Sequence, residues 1–215
     1  MQDKIAKKIS DELKLNVDQY EIISYGAFAV IQIIISIVAV AFFGLILGVM
    51  PQALMVSFST SLLRQYSGGA HAGRPRSCIV IGTAASVGLA LFIKLISSVL
   101  IFRHWISVVA MIFMVSFYII YKKAPVDSEA KPIRTETKRK KMKMKSLIVV
   151  TTYFVLNIAF VIMYLSAYNI NYIIYSLDIC GGMLFQIFSL TIIGHKILGK
   201  IDDGVTFILF KKEGE

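Results

Sequence analysis

Charged residues are scarce in this chain: 17% of its 215 residues, with only 13 Asp and Glu among them. An ordinary soluble domain carries about 25% charged residues and is about half apolar, whereas 57% of this chain is hydrophobic. A chain of this size cannot hide so much apolar surface in one water-soluble core. The excess calls for lipid, so the composition is that of an integral membrane protein. Cysteine is nearly absent as well, and Cys78 and Cys180 alone exclude a disulfide framework. No H-E-x-x-H, C-x-x-C, G-x-G-x-x-G or P-loop pattern occurs, so neither a metal nor another cofactor is expected. A cleavable signal is not expected either, because the first 21 residues are charged and lack an A-x-A-like site.

What is present is a series of apolar runs. A hydrocarbon core of ~30 Å needs about 20 residues of helix. Residues 26–49, 79–100, 104–121, 147–168 and 172–194 meet that length. Lys94 lies near the far end of the second run, where it can snorkel. Residues 51–66 are less apolar and give only ~24 Å of helix at 1.5 Å per residue, enough for a thinned or protein-lined crossing. Ahead of the spans, Ile5, Ile9, Leu13 and Val17 mark one face of a helix ringed by Lys4, Lys7, Lys8 and Lys14. That pattern reads as an amphipathic helix in residues 1–21, lying either on the lipid interface or on the protein itself.

Positive charge settles the parity. Lys and Arg number four in 1–21, three in 64–77, ten in 122–146 and four in 194–215, which leaves only Lys94 and Arg103 elsewhere. The positive-inside rule puts those four segments on the cytoplasmic side, and this closes only if 51–66 crosses. The expectation is one all-α polytopic domain over 1–215. It has about six transmembrane helices, with spans 1–4 in 26–121, a basic cytoplasmic loop at 122–146 and spans 5–6 in 147–194. A cytoplasmic tail follows at 195–215, and both termini lie inside.

The loop at 64–78 is the candidate for chemistry. Gly68, Gly69, Gly73 and Pro75 break any continuous helix there, and irregular backbone near membrane depth is tolerated only where protein encloses it or a wet cavity adjoins it. Within it stand His71, Cys78 and the three arginines Arg64, Arg74 and Arg76. A thiol becomes a nucleophile as its thiolate, which neighbouring cations and a helix N-terminus favour. A nearby imidazole can take the proton and return it to a leaving amine. Backbone N–H groups along Gly68-Gly69, or at the start of the following helix, could hold an oxyanion. On the pairing alone, the favoured description is an interfacial loop histidine and a small apolar cysteine opening a span.

Arg64, Gly68, Gly69, His71 and Cys78 resemble the signature block of the accessory gene regulator B (AgrB) family, membrane cysteine endopeptidases that process autoinducing-peptide precursors in Gram-positive bacteria. A second block is similar too: Ala124-Pro125, Lys131-Pro132-Ile133, and the basic run from Lys138 to Lys145. The resemblance covers nearly the whole chain. It implies that Cys78 is the nucleophile and His71 its base, acting on a short amphipathic precursor with an acidic C-terminal tail (AgrD-like). The upstream part of the precursor would be held as a thioester and closed to a thiolactone or lactone. The resemblance further implies a homodimer in the bacterial cell membrane, with the catalytic loop cytoplasmic.

The basic loop carries ten Lys and Arg against Asp127, Glu129 and Glu136, a net of +7 over 122–145. Lys122, Lys123, Lys131, Lys138, Arg139, Lys140 and Lys141 are candidates for holding an acidic tail by long-range attraction. The same charge also suits anionic lipid headgroups. Cys180, beside Gly181-Gly182, reads as packing. Asp178 is either a functional ionisable group or a side chain reaching the outer interface. Asn157 could bridge helices or orient a catalytic group. His104 and His195 read as interfacial, and Asp202-Asp203-Gly204 as turn chemistry. Nucleic acid is not expected, because the aromatics lie within the spans. The rival from another class is a small peptide transporter or export channel in which 64–78 is a re-entrant gate.

Overall fold

A computed structural model describes residues 16–69, 74–97, 102–127 and 135–210. Among them are seven helices: α1 (Val17–Ile46), α2 (Met50–Ser67), α3 (Pro75–Ser97), α4 (Phe102–Lys123), α5 (Glu136–Ala167), α6 (Asn171–Ser189) and α7 (Ile192–Phe210). The chain is thus an all-α polytopic membrane protein. The segment expected to form the N-terminal amphipathic helix lies, up to residue 15, outside the described residues.

The helix ends follow from local chemistry. Asn16 caps α1 reciprocally: its side chain accepts from the Gln19 N–H at 2.9 Å, while the Gln19 side chain accepts from the Asn16 N–H at 3.1 Å. The helix therefore starts nine residues earlier than the apolar run at 26 and carries Tyr20 and Glu21 as its first turns. At the other end Gly48 adopts φ +66°, and Pro51 sits in the first turn of α2, where its missing N–H costs nothing. Lys94, exposed near the C-terminal end of α3, donates to the Gly48 carbonyl at 3.0 Å and so ties that end of α3 to this turn. Thr135 caps α5 through the Lys138 N–H, which places the basic run 138–145 on the first turns of a 32-residue helix.

Five helices, α1, α3, α4, α5 and α6, are long and apolar enough to cross a membrane. The 18-residue α2 falls short in apolarity, because Gln52, Ser59, Thr60 and Ser67 on its buried face turn inward. The surroundings differ sharply along the chain. In α1 only 11% of the apolar window is buried, against 72% in α6, so α1 is peripheral and α6 central. Exposed Val30, Ile33, Ile34, Val38 and Phe42 cover α1; lipid accepts such a surface and water does not.

The centre of the bundle is the contact between α2 and α6. These helices run in the same direction. Thr60 Oγ1 donates to the Gly182 carbonyl at 3.0 Å, and further along both helices Gln186 Nε2 donates to Ser67 Oγ at 2.9 Å. Close approach depends on Gly182, where a Cβ would overlap Ser59 Oγ and come within 2.5 Å of the Val56 carbonyl oxygen. Tyr153 of α5 reaches the same place, its hydroxyl donating to the Ser59 carbonyl at 2.7 Å. One apolar cluster, with Leu63, Ile120, Val150, Met183 and Ile187, fills the half of the bundle nearer the 64–78 loop. A second, with Val49, Ala53, Ala90, Trp105 and Ile173, fills the other half.

The tail departs from expectation. Asp202-Asp203-Gly204, read as a turn, lies inside the continuous helix α7. This helix packs on α3 and α6, where apolar neighbours in its sequence outweigh the low helix propensity of glycine.

Replacing Gly182 by Ala should lower the thermal midpoint in detergent by roughly 2–10 °C, as overpacking of ~1–3 kcal/mol requires. Gly82→Ala, at a site with nothing within 4 Å of a Cβ, should leave the midpoint unchanged or slightly raised. Equal midpoints for the two variants would contradict the close α2–α6 contact.

Candidate functional site

Arg64, Gly68, Gly69, Arg74, Arg76 and Cys78, the described members of the 64–78 candidates, lie where α2 ends and α3 begins, at one end of the bundle. Cys78 lies in the first turn of α3, half-buried and not in a disulfide. Its N–H donates to the Arg74 carbonyl at 3.1 Å. The preceding Pro75 opens the helix, and its carbonyl accepts from Gln32 Nε2 of α1 at 3.4 Å. Arg64, in the last turn of α2, is half-buried and near enough to Cys78 for their charges to interact. Arg74 and Arg76 flank the start of α3 and are exposed. His71 lies outside the described residues, as does Lys131.

The path from α2 towards Cys78 is held from two sides. Gly68 ends α2 with φ +69°, and its N–H donates to the Arg64 carbonyl at 3.1 Å. The Val126 N–H donates to the Ser67 carbonyl at 2.9 Å, and Gly68 and Val126 form a single parallel β-bridge. A Cβ on Gly68 would overlap the Val126 carbonyl oxygen. The start of the basic loop, just past the cis Ala124–Pro125 peptide, thus lies directly on the end of α2. From the other side comes the end of α6. Gln186 Nε2 donates to both Ser67 Oγ (2.9 Å) and the Gly68 carbonyl (2.7 Å). Gly69, at φ +118°, leaves no room for a Cβ, which would stand 2.7 Å from Ser189 Oγ and 3.3 Å from Gln186 Nε2. These positive φ values are cheap only for glycine, so both glycines are needed for backbone reasons.

The basic candidates divide. Lys122 and Lys123 end α4, while Lys138, Lys140 and Lys141 start α5; all are exposed. Arg139 pairs with Asp127 at 2.6 Å across a half-exposed surface, a contact worth little in stability. Lys143 lies 4.3 Å over the ring of Tyr121, and Lys145 lies 5.3 Å from the ring of Tyr66. These cation–π contacts draw the start of α5 over the ends of α4 and α2.

Other singled-out residues find plain roles. Asn157 bridges helices: its Oδ1 accepts from Ser176 Oγ, and its Nδ2 donates to the Tyr153 carbonyl at 2.9 Å. Trp105 Nε1 joins them by donating to Ser176 Oγ at 3.2 Å. Cys180 is buried beside Asn157, as packing requires. Asp178 does not reach an outer interface. It is fully buried, one turn from Gly182 on the face of α6 turned to α2, with no hydrogen-bond partner for either carboxylate oxygen among the described residues. His104 and His195 are exposed. No group of three or more His, Cys, Asp or Glu suited to a metal occurs among the described residues.

Three contacts at this end are absent from the sequence reading: Gln186 on Gly68, Val126 on Ser67, and Thr206 of α7, whose Oγ1 lies 3.1 Å from the Oγ of Ser77, the residue before Cys78. Gln186 was visible only as a polar side chain in an apolar run. Pairings across 119 and 129 residues leave no local signal.

The model of the family described as accessory gene regulator B matches residues 2–190. Putative AgrB-like protein 2 of Clostridium perfringens is 37% identical over 202 residues, covering 92% of this chain and 93% of that protein. A putative AgrB-like protein of Listeria innocua is 27% identical over 188 residues, covering 87% of this chain and 84% of that protein. No solved structure matches the chain.

The two thiols should differ in access. A membrane-permeant maleimide should add once to the folded protein, and intact mass should show the adduct lost in Cys78→Ala and kept in Cys180→Ala. Equal labelling of both cysteines in folded protein would contradict the burial of Cys180.

Proposed function

The chain belongs to the accessory gene regulator B family, and from that premise we propose that it is a membrane-embedded cysteine endopeptidase and peptide cyclase. Family membership already gives a role in autoinducer precursor processing; the chemistry is the further step. Its substrate is a short amphipathic precursor, AgrD-like, with an acidic C-terminal tail. The observation that carries the reading is the position of Cys78: a half-buried thiol in the first turn of a helix, with the half-buried Arg64 of α2 near enough for its charge to act on it.

In this reading the Cys78 sulfur, its proton taken by His71, attacks the carbonyl carbon at the boundary between the mature peptide and the tail. The C–N bond breaks, His71 returns the proton to the leaving amine, and the tail departs. The upstream part stays on Cys78 as a thioester. A thiol or hydroxyl within the peptide then attacks that carbonyl, the C–S bond to Cys78 breaks, and the thiol is regenerated as the ring closes. Exchange of one activated ester for another keeps the acyl group reactive, whereas water would destroy it; a site enclosed by protein and lipid favours the first outcome.

Arg64 provides fixed positive charge where the thiolate forms. The Gly68 and Cys78 N–H groups are engaged with the Arg64 and Arg74 carbonyls. Gly69 and the first N–H groups of α3 therefore remain the backbone candidates for an oxyanion, and Arg74 and Arg76 are the side-chain ones. Exposed Lys122, Lys123, Lys138, Lys140 and Lys141 form the field that draws the acidic tail, together with Lys131 and the Asp127-paired Arg139. The same field suits anionic lipid. The site end of the bundle faces the cytoplasm of a bacterial cell, with both termini inside, and a second copy completes a homodimer.

The test is cleavage in liposomes of the precursor from the neighbouring reading frame, about 40–50 residues long and thus too short to fold alone. Tail release should fall by at least ~10³-fold in both Cys78→Ala and His71→Ala, and Cys180→Ala should retain it. Wild-type tail release by Cys78→Ala would end the cysteine-protease reading.

A further inference from the structure

We infer that Gln186 is a positioning residue for the catalytic loop, locking the chain at Ser67–Gly68, from which the segment leading to Cys78 departs. The inference rests on the protease reading above and assigns a role to a residue on α6, far in sequence from both signature blocks.

The geometry is specific to an amide. Both hydrogens of Nε2 are used, one on Ser67 Oγ and one on the Gly68 carbonyl. That carbonyl belongs to a residue already outside the helix, at φ +69°, and backbone that leaves a helix within a bundle must find a partner inside the protein. Gln186 itself is fully buried, so its donors have no water to turn to, and the bonds made in that enclosed site are strong. The surrounding contacts reinforce the direction. Ser189 Oγ donates back to the Gln186 carbonyl at 2.7 Å and packs on the Cα of Gly69. On the far side, Val126 holds the Ser67 carbonyl. Ser67 and Gly68 are thus pinned between the end of α6 and the start of the basic loop.

Position here bears on chemistry through chain length. Only two residues separate Gly69 from His71 in sequence, a chain length of at most ~7 Å, so Gln186 acts on the point from which that short segment departs. A catalytic group misplaced by ~1 Å can cost about 10²-fold in rate. A clamp of this kind acts on kcat. Substrate affinity comes from the exposed lysines and from lipid, which Gln186 does not touch.

The experiment compares wild type with Gln186→Met and Gln186→Glu, full-length in liposomes. Methionine keeps length and volume without a donor; glutamate removes both donors and adds a carboxylate facing the Gly68 carbonyl. Gln52→Met is the control, a buried glutamine in the first turn of α2, at the end of that helix away from the site. Both Gln186 variants should lose kcat on the order of 10–100-fold with KM within about twofold. Gln52→Met should keep the wild-type kcat at a similar thermal midpoint. Amide hydrogen exchange in the same liposomes reads the clamp without activity: protection over 64–69 and at Val126 should drop in Gln186→Met and stay in Gln52→Met.

Wild-type kcat in Gln186→Met, or unchanged exchange over 64–69, overturns the inference. A loss of kcat matched by an equal loss in Gln52→Met does so too, since it reports general packing. Lost protection in Gln186→Met together with an inactive wild type would sink the protease reading while supporting the clamp.

Discussion

The approach of α2 to α6 at Gly182 is the constraint on which the rest of the molecule depends. With no side chain there, Ser59 and the Val56 carbonyl lie against the backbone of α6, and Thr60 spans the gap to the Gly182 carbonyl. In lipid there is little hydrophobic gain from pressing two helices together, so small residues and interhelical hydrogen bonds hold the contact. One turn further along the same face stands Gln186. Had the helices been held a few ångströms apart by a Cβ at 182, its amide could not reach Ser67 and Gly68. A packing choice in the middle of the bundle thereby fixes backbone at its end.

That backbone is the costly part of the fold. Leaving α2 at Gly68 frees polar groups that neither lipid nor apolar side chains can satisfy. The protein answers with two groups distant in sequence, the Gln186 amide and the Val126 N–H, and with the local helical return of the Gly68 N–H to the Arg64 carbonyl. The Val126 contact also joins the basic loop to the catalytic one. The basic loop is, nine residues before Thr135 caps α5, in direct contact with the end of α2. The start of α5 joins the same framework, with Tyr66 and Tyr121 receiving its lysines on their rings.

Much of this was legible in the sequence, and the reasons it was legible are physical. Apolar runs announce spans because lipid requires them. The charge distribution called for a crossing at 51–66, and the structure has a helix there from Met50 to Ser67. Its low apolarity has a cause: Gln52, Ser59 and Thr60 face protein. The two signature blocks resembled one family without showing that they touch; in the structure Val126, at the start of the basic loop, bridges Gly68 at the end of α2. What stayed hidden was long-range or depended on neighbours. Asp202-Asp203-Gly204 has the local chemistry of a turn, yet packing on α3 and α6 holds it helical. Asp178 lies near a span end in sequence, but its helical phase points it at α2. Nothing local marks Thr206 as a neighbour of Ser77, or Gln186 as a partner of Gly68.

The central claim is that Cys78 carries the upstream part of the precursor as a thioester. Intact-mass analysis of the protein in liposomes with its precursor, quenched during turnover and with or without hydroxylamine, addresses it directly. The account predicts a mass gain equal to the precursor minus its tail, located on Cys78, removed by hydroxylamine and absent in Cys78→Ala. Tail release with no adduct at Cys78 at any time, undiminished in Cys78→Ala, would contradict it.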